Sequence, residues 1–507
     1  MALDTPRPTR RSLLGALPLV PWLASCSGER VQSSGRGVLV LVLDALRYGR
    51  TSFAEGGPDT TPRLREWAGE RAVVLDDMWS ASPSLVPAHV ALLTGCDPMV
   101  ARTPRVELSD GRVIDPITPW TIPSGAPSLA SEFLKDGWST AAFIDHRFPI
   151  LRGLERGFLR FDSFGGQTGE GAGSGLANVC FRFWEWLTDM EEDADWFAYV
   201  HLNDLELIWN EEEWKRTGHP DLGTQDLDPA LDWVPPVGAR SPVFHALPPR
   251  RVLSGQPPLS VYQARYDAAL NWVDTNFVRL FEMLRASGRL EDTTVVLVGS
   301  HGISFGESGL FVTSGVSCDV DLHVPCIIHP AASLGVDVGR RMDSLTSTLD
   351  IAPTLLDLVG LDVPLGMHGK GLTGLLAGDA TAVREAAFGS HGDVEGLCAV
   401  SEQDIYVEVE PGKRRVSLDN SWFGDDRRRH NDVFRYLYSR QKGQVHGLSG
   451  AGLVDQQSAD HALRAAAEAW YADMGAVREV LHPSAWNAEK RGEDVIAELR
   501  SKGLIGG

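Results

Sequence analysis

The stretch VLVLVLDALRYGR, residues 38–50, opens with six consecutive aliphatic side chains and turns polar at Asp44. Six residues between Gly37 and Asp44 are too few for an ordinary helix, and an unbroken apolar run of this length predicts a strand buried on both faces. Such strands belong to parallel sheets covered by helices on either side. Comparable runs recur at residues 140–144, 196–202, 294–298 and 324–328, separated by segments of helical periodicity. That alternation predicts an α/β domain. Between two of these runs Tyr266, Leu270, Val273, Phe277, Leu280, Phe281 and Leu284 recur mostly at intervals of three or four, with Gly288 as a stop, which predicts a long helix. A second helix is expected over residues 353–359, with Asp350 before it, proline in its first turn and Gly360 after it. These runs predict a parallel sheet flanked by helices over residues 38–377. A smaller α+β domain is expected over residues 378–507, where short strand-like and charged segments precede a helix near residues 463–474. Residues 211–260, rich in proline and poor in periodicity, read as a lid-like insertion or a decorated loop.

At 507 residues, 43% hydrophobic and 23% charged, the composition is that of a globular protein and excludes collagen-like, coiled-coil and disordered classes. Acidic residues outnumber basic ones by 68 to 47, for a formal net charge of -21. The whole-molecule field repels polyanions, so nucleic acid is not an expected partner. The cysteines at positions 26, 96, 180, 318, 326 and 398 show no CxxC pair, so they define neither a zinc cluster nor a disulfide scaffold.

At the N-terminus, Arg10 and Arg11 precede an apolar run that carries no charge through Ser25, the pattern of an export signal over residues 1–25. The arginine pair resembles a twin-arginine signal. Leu23-Ala24-Ser25-Cys26 resembles a bacterial lipobox, which implies that Cys26 carries a lipid and holds the exported protein to a cell-envelope membrane. The alternative is ordinary cleavage near Ala24, with Cys26 a spectator. Residues 26–37, rich in Ser, Gly and charge, read as a flexible tether. No later apolar run is long enough to span a bilayer.

Six segments then line up in order: VLVLVLDALRYGR (38–50), TTPRLREWA (60–68), SPSLVPAHVALLTG (82–95), TTVVLVGSHGISFGESGLF (293–311), LHVPCIIHP (322–330) and TLDIAPTLLDLVG (348–360). Together they resemble the sulfatase family of the alkaline phosphatase superfamily, which implies a large mixed, mostly parallel sheet flanked by helices. The resemblance implies a sheet-end aspartate, a nucleophile at a helix N-terminus and a later Asp-His or Asp-Asn pair, gathered around a divalent metal that is usually calcium. Metal and helix dipole would stabilise anionic charge as the nucleophile attacks sulfur or phosphorus. By the same resemblance Asp44 is the first metal ligand and Arg47 the basic residue of an Asp-Thr-Leu-Arg pattern.

The chain departs from that family at four positions. The family's Cys-x-Pro-Ser-Arg or Thr-x-Pro-Ser-His motif puts its nucleophile where Leu85 stands, and Pro87, His89, Leu93 and Thr94 hold the frame. An isobutyl group is neither nucleophile nor metal ligand. Ser84 and Ser82 lie nearby, but one residue at a helix start swings a side chain by about a third of a turn. The expected Asp-His-Gly appears as Ser300-His301-Gly302, leaving one carboxylate among Asp44, Ser300 and His301, a weak set for calcium. Ser308 replaces a histidine, and Asp204-Leu205-Glu206 replaces Asp-Pro-His. A glutamate there is expected to repel an anion at short range.

Plain structural roles compete for what remains. Asp44 is a candidate helix cap and His301 a packed histidine; His89 is a candidate anion contact or a helix-surface residue. Asp145 and His146 follow a strand, at a sheet end where ligands bind. Trp209, Trp214 and Trp233 are candidate sugar platforms or loop anchors. Two functional readings follow. The first is a sulfatase-like pseudoenzyme of the cell envelope with a binding or structural role, needing no cofactor and open to a small-molecule or glycan ligand. The second is a metal-dependent hydrolase of sulfate or phosphate esters that uses Ser84 or water. Its metal would be held by Asp44, His301 and Glu206, a mixed donor set that suits zinc better than calcium.

Overall fold

Side chains alternate along a strand, so an all-aliphatic strand must find apolar partners on both faces. In the computed structural model, Leu39, Leu41 and Leu43 enter one core cluster while Val38, Val40 and Val42 enter a second on the opposite face. The structure describes residues 35–103, 106–107, 113–114, 120–145, 151–164, 175–217, 227–238, 246–307, 311–314, 319–390, 395–401, 404–410, 434–439, 444–449 and 462–481. The export signal with Arg10 and Arg11, the lipobox with Cys26, His146 and Ser308 lie outside the described residues.

The main sheet has eight strands: β1 (Gly37–Leu43), β2 (Val73–Leu75), β3 (Ser139–Ile144), β4 (Arg160–Ser163), β5 (Trp196–Leu202), β6 (Thr293–Gly299), β7 (Cys326–His329) and β8 (Arg340–Met342). Their spatial order is β8-β2-β7-β6-β1-β5-β3-β4. Strand β1 is central, parallel to β5 on one side and to β6 on the other. Only β7 among these strands runs against its neighbours, β6 and β2, so the sheet is mixed but mostly parallel.

Helices cover both faces. The leucine side of β1 meets Trp67 of α1 (Pro62–Arg71), Leu270, Val273 and Phe277 of α4 (Leu259–Ala286) and Phe183 of α3 (Leu176–Thr188). The valine side meets Val86, Val90 and Leu93 of α2 (Leu85–Thr94) and Ile351, Leu355 and Leu356 of α5 (Ile351–Leu358). Nine of the ten α2 residues are buried, as expected of a helix apolar on nearly every side. Gly95 ends it at φ 62, a left-handed conformation that favours glycine.

Beyond these layers, a five-stranded antiparallel sheet runs β9 (Ala386–Ser390), β10 (Glu395–Ser401), β11 (Asp404–Glu410), β12 (Phe434–Ser439) and β13 (Gln444–Ser449), followed by α6 (Ala462–Leu481). Trp470 of α6 stacks on Phe388 at 4.9 Å and donates its indole N–H to Asp97 at 2.9 Å. Among the described residues no helix is long and apolar enough to cross a membrane.

Candidate functional site

The register of β1 and β5 assembles the site. Val40 pairs with Tyr199 and Val42 with His201, so the period-two alternation sends Tyr199 and His201 to the valine face, where α2 lies. Asp44 follows β1 and donates its backbone N–H to Leu202 O at 3.0 Å, while Ser300 N donates to Leu43 O at 3.1 Å. Asp44, His201 and Ser300 thereby converge at the carboxyl end of three adjacent strands. The chain leaves Asp44 through Ala45 at φ 56, a sparsely populated conformation for a residue with a side chain. Tyr266 Oη holds that turn, donating to Ala45 O at 2.6 Å and accepting from Arg47 N at 3.0 Å.

Asp44 is fully buried, and three side chains meet its carboxylate. His201 Nε2 lies 2.6 Å from Oδ2, His89 Nε2 lies 3.1 Å from Oδ1, and Ser300 Oγ donates to Oδ1 at 2.5 Å. Tyr199 Oη in turn lies 2.6 Å from His89 Nδ1. Burial alone would push the Asp44 carboxyl up, but His201 and His89 outweigh it and hold it well below the usual carboxylate range. Burial and the neighbouring His201 push the His89 imidazole down to about 4, against the pull of Asp44. Asp44 is thus an ionised acceptor, not a helix cap: the short turn at Tyr48–Arg50 has Arg47 at its cap position. His89, read from sequence as an anion contact or a surface residue, is fully buried.

The structure regroups the expected metal set. Ser300 donates to Asp44, and His301 Nδ1 is bonded to Gly302 O at 2.8 Å. Asp44, His89 and His201 instead form the one group of potential metal ligands found among the described residues. A calcium shell wants six to eight oxygens, several of them charged; one carboxylate, two imidazoles and a hydroxyl already turned to that carboxylate do not fit it. Gly302 is fixed by sterics, since a Cβ there would lie 2.0 Å from Val320 O.

Leu85 is the first residue of α2 and is half-buried. Ser84 precedes it as the N-cap, makes no side-chain capping bond and donates its N–H to Ser82 Oγ at 3.3 Å. Arg47 is paired with Glu307 at 2.6 Å. Glu206 does not present the bare charge expected from sequence: it is ion-paired with Arg251, which also donates to Glu206 O at 2.9 Å. Burial would raise the Glu206 carboxyl, but Arg251 and His301 outweigh it and bring it below its ordinary value. Asp145 and Asp204 accept from Gly175 N and Leu176 N at the start of α3, each at 2.9 Å. Burial and the charge of Asp204 hold the Asp145 carboxyl well above its usual value, against its backbone donors. Trp209 and Trp214 are buried in the main core under Arg251 and Arg265, at 5.9 and 4.4 Å, with Trp214 on the short helix Glu211–Thr217. Trp233 is 41% exposed.

Sequence reasoning missed His201, Tyr199 and Arg251. The available signal was the pair of polar-tipped side chains two residues apart in the run WFAYVHL, residues 196–202.

The family model described as Sulfatase matches residues 36–361. The chain is 27% identical over 162 residues to the "Extracellular sulfatase SULF-1 homolog" of Drosophila melanogaster, covering 31% of this chain and 14% of that protein. It is 30% identical over 131 residues to the "N-acetylglucosamine-6-O-sulfatase" of Bacteroides thetaiotaomicron, covering 25% and 23%. The matched segments are thus a minor part of those proteins' lengths. Among solved structures, the phosphonate monoester hydrolase of Silicibacter pomeroyi superposes with TM-score 0.58 at 18% identity, over 87% of this chain and 95% of that one. A 2-O GAG sulfatase superposes with TM-score 0.59 at 17% identity, over 91% and 96%. At these identities the superpositions speak for the fold alone, while the family model spans well over half of the chain: the chain belongs to the sulfatase family.

Proposed function

We propose that this chain is a sulfatase-family protein of the cell envelope that does not hydrolyse esters and serves a binding or structural role there. One observation supports the reading: both carboxylate oxygens of Asp44 are engaged by His89, His201 and Ser300, in a chain with Leu85 where the resemblance puts the nucleophile. The two halves of the chemistry, attack and charge stabilisation, are altered together. The ligand of this reading is a small molecule or a glycan. A lipid on Cys26 would anchor the protein to the membrane, by the lipobox-like run that ends there.

The test of a site altered in more than one place is a single repair. Leu85→Thr returns a hydroxyl to the start of α2 and is expected to leave aryl sulfate and aryl phosphate hydrolysis at the wild-type background. If that one change produces turnover, the Asp44 half of the site is intact and the claim that both halves are altered is wrong. The anchor has its own check: Cys26→Ala should move the protein from the membrane fraction to the soluble fraction or block its maturation. Unchanged fractionation would remove the lipid from the proposal.

A further inference from the structure

The donors around Asp44 do not fit calcium, yet they match a different class of ion, and we propose that Asp44, His89 and His201 form a site for a zinc-class divalent metal. One carboxylate oxygen and two imidazole nitrogens lie within 4.8 Å of one another, on three fully buried side chains. They come from the end of β1, from α2 and from β5, so packed backbone sets their separation. The two rings meet edge to face, with centroids 4.5 Å apart at 79°. Of the three residues, only Asp44 is a position to which the sulfatase resemblance assigns a metal.

The surroundings support ligation. Tyr199 Oη at 2.6 Å fixes the rotation of His89, and Ser300 Oγ at 2.5 Å fixes the Asp44 carboxylate. Such outer partners orient metal-ligating imidazoles and carboxylates and tune their basicity. Three protein ligands with nitrogen and oxygen donors are the usual complement of a zinc site that keeps a further position for water. Borderline ions accept imidazole readily, whereas calcium and magnesium select oxygen. Burial keeps the His89 imidazole neutral; with metal on its Nε2, its single proton would sit on Nδ1 and donate to Tyr199 Oη. The proposal stands apart from the question of hydrolysis, because its test reads metal rather than turnover.

Chelator-treated full-length protein is titrated with Co²⁺ while its visible absorption is followed, then challenged with Zn²⁺ and, separately, with Ca²⁺. The expected result is one equivalent of Co²⁺ bound, displaced by Zn²⁺ and untouched by Ca²⁺. Binding should be lost in His201→Asn and weakened roughly 10-fold in Tyr199→Phe. Two results would overturn the proposal: folded wild-type protein that takes up neither ion, or binding of unchanged strength in both His89→Gln and His201→Asn. Should the variants not fold, X-ray absorption of the zinc-loaded wild type decides. A shell of imidazole nitrogen and oxygen supports the site, and a sulfur-rich shell rejects it.

Discussion

A buried carboxylate must find hydrogens or a cation, because an isolated charge in a protein interior is strongly unfavourable. At Asp44 the protein supplies two imidazoles and a hydroxyl, so the residue at position 300 is part of a hydrogen-bond network. Ser300→Ala should cost about 1.5–3 kcal/mol in chemical denaturation, the range for a bond to a charged acceptor. Ser300→Asp should cost more when calcium is the only metal present, since it sets a second carboxylate against Asp44. The opposite ranking in calcium-containing buffer would mean that these oxygens converge on an ion. From sequence, Asp44 and Ser300 could be picked out by their frame. His201 could not, because one histidine in an apolar strand reads as packing until its register with Val42 is known.

Elements show the same division between what a pattern carries and what it omits. The apolar runs identified β1, β3, β5, β6 and β7, but a strand buried on both faces looks the same in either direction, so the reversal of β7 was invisible. Strands β2 and β8, with three residues each, and β4, with four, were too short to give a period. The joint between the two sheets is likewise tertiary. His368 N and Gly369 N both donate to Gly95 O at the end of α2, and Asp97 N donates to His368 Nδ1 at 2.9 Å. Burial pushes the His368 imidazole down to about 4, against about 6.5 in the unfolded chain. The unfolded state therefore takes the proton first, and stability is full above about pH 6.5 and declines as pH falls toward about 4, by roughly 3 kcal/mol in all. His368→Asn keeps an acceptor for Asp97 N and has no proton to gain. Its denaturation free energy should fall less steeply than that of the wild type across this interval; parallel pH profiles would remove His368 from the acid response.

At the scale of the whole molecule, a fold shared with a phosphonate monoester hydrolase over 87% of the chain coexists with a centre in which Leu85 opens α2 and His89, His201 and Ser300 engage Asp44. A fold does not determine chemistry; the groups at its sheet ends do. The main sheet could be foreseen from sequence because its core follows a period, whereas the departure at Leu85 is read only from the frame that the family resemblance supplies. The rest of the centre depended on which residues the sheet brings together. The most direct test is turnover by the full-length protein, made in cells with a formylglycine-generating system and offered para-nitrophenyl sulfate, para-nitrophenyl phosphate and a phenylphosphonate ester. Product release no faster than in a mock preparation is the expected result. Release above that background, abolished by Ser84→Ala or Asp44→Asn, would contradict the assignment of a non-hydrolytic sulfatase fold.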